Sequence, residues 1–100
     1  MEIDNKIFNR AVRRYIGYGI DSFPNEDAAR LIAEFGPELG SQLDIKVKSL
    51  LEELGRFKPV IDSSPLLSAK NAAAELKSNH PELDPNTIDA LEWIYSWWWK

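Results

Sequence analysis

The sequence has 100 residues, of which 44% are hydrophobic and 28% are charged, and its formal net charge is −4. A chain of this length has room for one hydrophobic core, and this composition is that of a globular protein and excludes a disordered chain. We therefore predict a single domain over residues 1–100. The negative charge disfavours general attraction to nucleic-acid backbones.

The chain contains no cysteine, which excludes disulfide bonds, thiolate metal sites and a cysteine nucleophile, and fits a reducing compartment. Charged residues interrupt the apolar residues between Met1 and Ile20, so this segment lacks the apolar run of a signal peptide. No apolar stretch is long enough to span a bilayer. We expect a cytoplasmic protein that does not act in a membrane.

Glycine and proline divide the chain into segments with the 3.6-residue apolar period of amphipathic helices. The first helix is predicted to be capped by Asp4 or Asn5 and to end at Gly17. Its polar face is expected to point to solvent or to a partner and comprises Lys6, Asn9, Arg10, Arg13 and Arg14.

The second and third helices are predicted from charge and capping signals. The second carries Glu26 and Asp27 in its first turn, where the helix dipole favours anions, and is broken by Gly36 and Pro37. The third begins near Ser41 and ends at Gly55. Residues 57–61 are interpreted as a connection.

Two proline residues mark the starts of the fourth and fifth helices. Pro65 follows Ser64 and Pro85 follows Asp84, and proline is favoured at the first helical position because its φ is already helical. The fourth helix, ending near Asn79, presents a narrow face of small residues that lets a neighbour approach closely. The fold class is therefore predicted as all-α, a compact bundle of four to five helices.

The fifth helix has apolar side chains on two adjacent stripes. The first stripe comprises Ile88, Leu91, Tyr95 and Trp98, and the second comprises Ala90, Trp93, Ile94 and Trp97. A helix that is apolar around most of its circumference is normally central in a core. Each tryptophan, however, buries about 150–250 Å², and four of them exceed what a bundle of this size encloses.

At least one indole is therefore expected to be exposed, with Trp97 and Trp99 foremost. Exposed tryptophan is typical of binding hot spots. The predicted partner-binding residues are Trp93, Tyr95, Trp97, Trp98 and Trp99. Contact with a membrane surface is the alternative for the last three, but the acidic net charge disfavours it.

Two clusters of charged residues each have two interpretations. The basic cluster, Lys6, Arg10, Arg13 and Arg14, either binds an anion, nucleic acid or an acidic partner, or pairs with carboxylates elsewhere in the chain; we favour pairing. The acidic residues of the second and third helices either keep the surface solvated or dock on a basic partner. These are Glu26, Asp27, Glu34, Glu38, Asp44, Glu52 and Glu53.

No pattern in the sequence points to catalysis or to a cofactor. His80 is the only histidine and marks a helix end, and one imidazole without cysteine makes a poor zinc site. The serines lack a Gly-x-Ser-x-Gly context, and the two glycines flanking Tyr18 meet neither a Walker loop nor a dinucleotide fingerprint. We predict no cofactor, no metal, no small-molecule substrate and no enzymatic activity.

The closing residues Ala90-Leu91-Glu92-Trp93-Ile94-Tyr95 resemble the ends of small uncharacterised bacterial proteins that finish in Ala-Leu-x-Trp-x-Tyr. This resemblance implies a bacterial or phage origin and brings no activity with it. In overall character the chain also resembles small acidic immunity proteins that neutralise a toxin. The favoured function is a non-enzymatic module that binds another protein, or a second copy of itself. The alternative is a nucleic-acid-associated factor that uses the basic cluster.

Overall fold

A computed structural model describes residues 4–22, 24–58 and 65–98 of the chain. These ranges contain five helices and no strand, so the prediction of an all-α bundle of four to five helices is confirmed. The helices are α1 (Asn5–Ile16), α2 (Ala28–Phe35), α3 (Pro37–Gly55), α4 (Pro65–Asn79) and α5 (Pro85–Trp98). The connection predicted at 57–61 lies outside the described residues beyond residue 58, as do Ser64 and Trp99.

The ends of α1 follow from local chemistry. The Asp4 side chain accepts a hydrogen bond of 2.8 Å from the Ile7 backbone N–H, which satisfies one of the free donors at the start of the helix. At the other end Gly17 has φ +79°, the left-handed conformation that glycine adopts most readily. Both predicted ends are confirmed.

The starts predicted for α2 and α3 are wrong, whereas their predicted ends at Gly36 and Gly55 are confirmed. Asp27 precedes the first turn of α2 and is its N-cap residue. Its side chain accepts a hydrogen bond of 3.0 Å from the Ala29 backbone N–H. Helix α3 begins at Pro37, and Ser41 lies inside it, where its hydroxyl donates to the Pro37 carbonyl at 2.6 Å. Proline was interpreted as a helix breaker here, but it occupies the first turn of α3, where its missing N–H costs nothing.

Helix α5 packs against α1, α3 and α4, and α3 contacts all four other helices. The fully buried side chains of α5 include Ala90, Leu91 and Tyr95. Helix α4 meets α5 through the predicted small residues, with Ala69 and Ala73 fully buried. Within the described ranges, none of the helices combines the length and the apolar character needed to cross a membrane.

Asn9 joins α1 to the segment between α4 and α5. Its side chain donates to the Glu82 carbonyl at 2.9 Å and accepts from the Asp84 backbone N–H at 2.9 Å. Only 3% of Asn9 is exposed, so the prediction that it points to solvent is wrong. The reason is that an asparagine can satisfy a buried donor and a buried acceptor at once, which periodicity does not reveal.

Candidate functional site

Two tryptophans at the end of α5 remain exposed. Trp97 is 43% exposed and Trp98 is 38% exposed, the highest values for aromatic side chains in the described residues. The expectation that at least one indole is exposed is therefore confirmed. Trp99, which was expected to be exposed as well, lies outside the described residues.

The other two predicted aromatic residues belong to the interior. Tyr95 is fully buried and its hydroxyl donates a hydrogen bond of 2.7 Å to the Phe57 carbonyl. Burial also raises the pKa of Tyr95. Its inclusion among the partner-binding residues is wrong, because a partner cannot reach it. Trp93 is half-buried and meets the Tyr18 ring edge-on, with 5.6 Å between ring centroids.

A groove of about 360 Å³ runs beside Trp98. We call it the Trp98 groove, and its walls are formed by Tyr15, Glu26, Lys48, Leu51, Glu52 and Trp98. The indole lies close to the end of α3, since a Cβ on Gly55 would lie 4.0 Å from Cζ3 of Trp98. The Tyr95 ring supports Trp98 from within the helix, with the two centroids 6.4 Å apart. The indole is therefore seated on α3 and still faces solvent.

The Trp98 groove is rich in unpaired acceptors. Glu26 and Glu52 form no ion pair or hydrogen bond with other described residues. Lys48 is the one cation in the wall, and it is paired with Asp44 at 3.1 Å. Burial, and next the charge of Glu26, raise the pKa of Tyr15. These groups together make the groove electronegative.

The basic cluster is largely neutralised by ion pairs. Arg10 and Arg14 lie 2.6 Å and 3.4 Å from the Glu34 carboxylate. The hydrogen bond from Arg10 lowers the pKa of Glu34. Arg13 lies 3.2 Å from Asp84, whereas Lys6 is exposed and forms no ion pair with the described residues. The arrangement is the one expected if the arginines pair with carboxylates elsewhere in the chain.

A larger cleft, about 480 Å³, lies on the side of the bundle where His80 follows α4. The His80 ring nitrogens lie 2.8 Å from the Glu53 carboxylate and 3.4 Å from the Glu82 carboxylate. The described residues contain no group of three metal-ligating side chains. The histidine and the two carboxylates of this cleft therefore interact with one another.

Sequence reasoning named Trp98, Glu26 and Glu52 but did not bring them together. They come from α5, from the segment before α2 and from α3, and Tyr15 of α1 completes the wall. Tyr15 falls on the apolar stripe of α1, a position that the 3.6-residue period assigns to the core. No signal in the sequence indicates that one edge of this buried ring meets a groove.

Comparison with known proteins gave no relative from which a function could be transferred: no family model, no curated protein and no solved structure matches the chain. The resemblance of the closing residues to bacterial proteins stays a prediction. The function is therefore argued from the surface itself.

Proposed function

We propose that the protein is a non-enzymatic protein-binding module whose binding face is the end of α5 with the Trp98 groove beside it. The observation that carries the proposal is the exposure of Trp97 and Trp98 on one helical turn. Aromatic side chains are enriched at the energetic centres of protein interfaces. Acidic residues beside them supply the polar rim that such interfaces have.

The energy available from these two side chains is adequate for recognition. An exposed fraction of about 40% on an indole of roughly 150–250 Å² leaves about 60–100 Å² accessible on each. At about 25 cal/mol per Å², covering both would contribute roughly 3–5 kcal/mol to binding. That is the range in which hot-spot residues lie.

An immunity or inhibitor protein is the class that fits this description. Such a protein acts by occupying a surface of its target, so it needs a stable scaffold and a binding face but no catalytic group. Within this proposal the protein works in the cytoplasm of a bacterium on another protein. The nucleic-acid alternative lacks comparable support, because the arginines that it requires are held by Glu34 and Asp84.

The proposal is tested by comparing Trp97→Ala and Trp98→Ala with Ile45→Ala. Ile45 is 70% exposed, and it lies ten residues before Gly55 on α3, so about 15 Å along that helix from the Trp98 contact. Each variant, immobilised, is used to capture proteins from cells of the source organism, and the captured proteins are quantified by mass spectrometry. We expect at least one protein to be lost with both tryptophan variants and retained with Ile45→Ala.

Circular dichroism and sedimentation complete the design. All three variants are expected to keep the helical spectrum of the wild type, since the side chains removed are exposed. If the same proteins are captured by all variants, the end of α5 is not the binding face. If the wild type sediments as a dimer that Trp97→Ala dissociates, the partner is a second copy of the chain.

A further inference from the structure

We propose that the Trp98 groove receives the side chain of an arginine on the partner protein. The inference rests on the proposed function and names the chemistry that the partner must present there. Three features of the groove support it: an unpartnered hydroxyl on a buried ring, two unpaired carboxylates, and an exposed indole beside an apolar side chain.

The unpartnered hydroxyl belongs to Tyr15. Only 4% of this residue is exposed, its hydroxyl oxygen is not enclosed, and it forms no hydrogen bond with the described residues. Both Glu26 and Lys48, which line the groove, act electrostatically on the Tyr15 phenol, so the hydroxyl lies at the groove wall. A ligand that donates hydrogen bonds would satisfy it.

The two carboxylates come from different parts of the fold. Glu26 precedes α2 and Glu52 lies in the last turns of α3, and neither is engaged by a cation among the described residues. Carboxylates on separate elements lining one groove form a site for a fork of N–H donors, which is the shape of a guanidinium group.

The indole of Trp98 and the side chain of Leu51 supply the apolar part of the site. Arginine carries its charge on a three-carbon stem, and its planar head stacks on aromatic rings more readily than an ammonium does. Leu51 is 5% exposed and forms part of the wall, where it can contact the stem. A guanidinium over the Trp98 face would gain a cation–π contact as well.

Lys48 does not oppose this occupant, because Asp44 neutralises it. The two side chains are 3.1 Å apart at i and i+4 on α3. With that pair counted as neutral, Glu26 and Glu52 leave the groove with two negative charges. A partner that presents a positive side chain is therefore the complementary one.

The test uses the whole protein and a short probe, the peptide acetyl-Gly-Arg-Gly-amide. Binding is followed through the Trp98 indole N–H signal in ¹⁵N NMR spectra, identified with a Trp98→Phe variant. We expect a saturable shift of this signal with a dissociation constant in the millimolar range. The same peptide with citrulline, which is isosteric and uncharged, is expected to bind at least fivefold more weakly. A lysine peptide is also expected to bind more weakly.

Three variants locate the binding. Glu26→Gln and Glu52→Gln are each expected to weaken binding of the arginine peptide about two- to fivefold. Tyr15→Phe is expected to weaken it without loss of stability, because the hydroxyl it removes has no partner in the fold. The matched control is Glu38→Gln, which removes the same charge about 20 Å away along α3 and should leave the affinity unchanged.

Several results would overturn the inference. If the arginine and citrulline peptides bind equally well, the groove does not recognise a cation. If the lysine peptide binds as well as the arginine peptide, the groove does not select arginine. If Glu38→Gln weakens binding of the arginine peptide as much as Glu26→Gln does, the binding depends on the overall charge of the protein and not on the groove. Absence of any shift up to about 20 mM peptide, a free energy weaker than roughly −2.5 kcal/mol, rejects the site. A dimer that Glu52→Gln dissociates assigns the groove to a second copy.

Failure of this inference and failure of the proposed function are distinguishable. The peptide titration needs only the purified protein, whereas the capture experiment depends on Trp97, which does not line the groove. If capture is lost with Trp97→Ala but arginine does not bind, the binding face stands without its arginine pocket. If the arginine peptide binds but Trp97→Ala and Trp98→Ala capture the same proteins as the wild type, the proposed binding face is wrong.

Discussion

Gly40 is predicted to be hard to replace, because an added side chain would meet the backbone of α2. It lies in the first turns of α3, where α2 crosses closely, and a Cβ added there would lie 2.7 Å from the Leu31 carbonyl oxygen and 2.9 Å from the Ile32 Cα. Both of these atoms belong to backbone, so neither can rotate away. Gly40→Ala therefore has to move α2 away from α3.

The magnitude follows from two opposing effects. Overpacking against a well-packed neighbour costs about 1–3 kcal/mol, while replacing a helical glycine by alanine gains up to about 1 kcal/mol. We expect Gly40→Ala to lower the free energy of unfolding by about 1–2 kcal/mol. For a domain of this size the corresponding fall in Tm is roughly 4–16 °C.

Gly55→Ala is the matched control on the same helix. A Cβ there would meet only the Trp98 ring, at the ordinary contact distance of 4.0 Å, so the gain from helix propensity should dominate. Urea unfolding, followed by circular dichroism, measures both variants. If Gly40→Ala is as stable as Gly55→Ala, the close approach of α2 to α3 is not a constraint on this fold.

Three further predictions concern single side chains and are measured by the same urea unfolding. Burial raises the pKa of Glu92, so its charge opposes folding as pH rises through that pKa; Glu92→Gln should stabilise the protein at pH 7 and not below about pH 4, and no gain at pH 7 would contradict this. Asn9→Ala leaves the Asp84 N–H without its acceptor and should cost about 2 kcal/mol, whereas an unchanged stability would mean that water replaces the side chain. Tyr95→Phe removes the hydrogen bond to the Phe57 carbonyl and should cost about 1 kcal/mol, and a neutral effect would show that this bond is dispensable.

Sequence patterns predicted the helices well where a side chain or a glycine alone fixes the end. The Asp4 cap, the left-handed Gly17 and the proline starts at Pro65 and Pro85 all depend on the residue itself and its neighbours. The start of α3 was missed because Pro37 both interrupts α2 and opens the next helix. Proline is compatible with both roles, so its presence does not decide between them.

The candidate site was predictable only in part. The number of tryptophans near the C-terminus predicted that at least one indole is exposed there, and the structure shows two exposed indoles on α5. Which carboxylates accompany them depends on contacts between distant segments, because Glu26 and Trp98 are far apart in the chain. Asn9 was misassigned for the same reason, since its partners Glu82 and Asp84 lie more than seventy residues away. Periodicity describes one helix at a time and carries no such information.

The exposure of α5 varies both around its circumference and along its axis. Its buried residues lie between Thr87 and Tyr95, and the large exposed ones are Trp97 and Trp98 in the last turn. The apolar side chains that pack α5 against α1, α3 and α4 are followed by further apolar side chains in the last turn, where they are exposed. Because the core and the exposed turn use different residues, substitutions at Trp97 should alter binding while leaving the core intact, so the two roles of α5 can be separated experimentally.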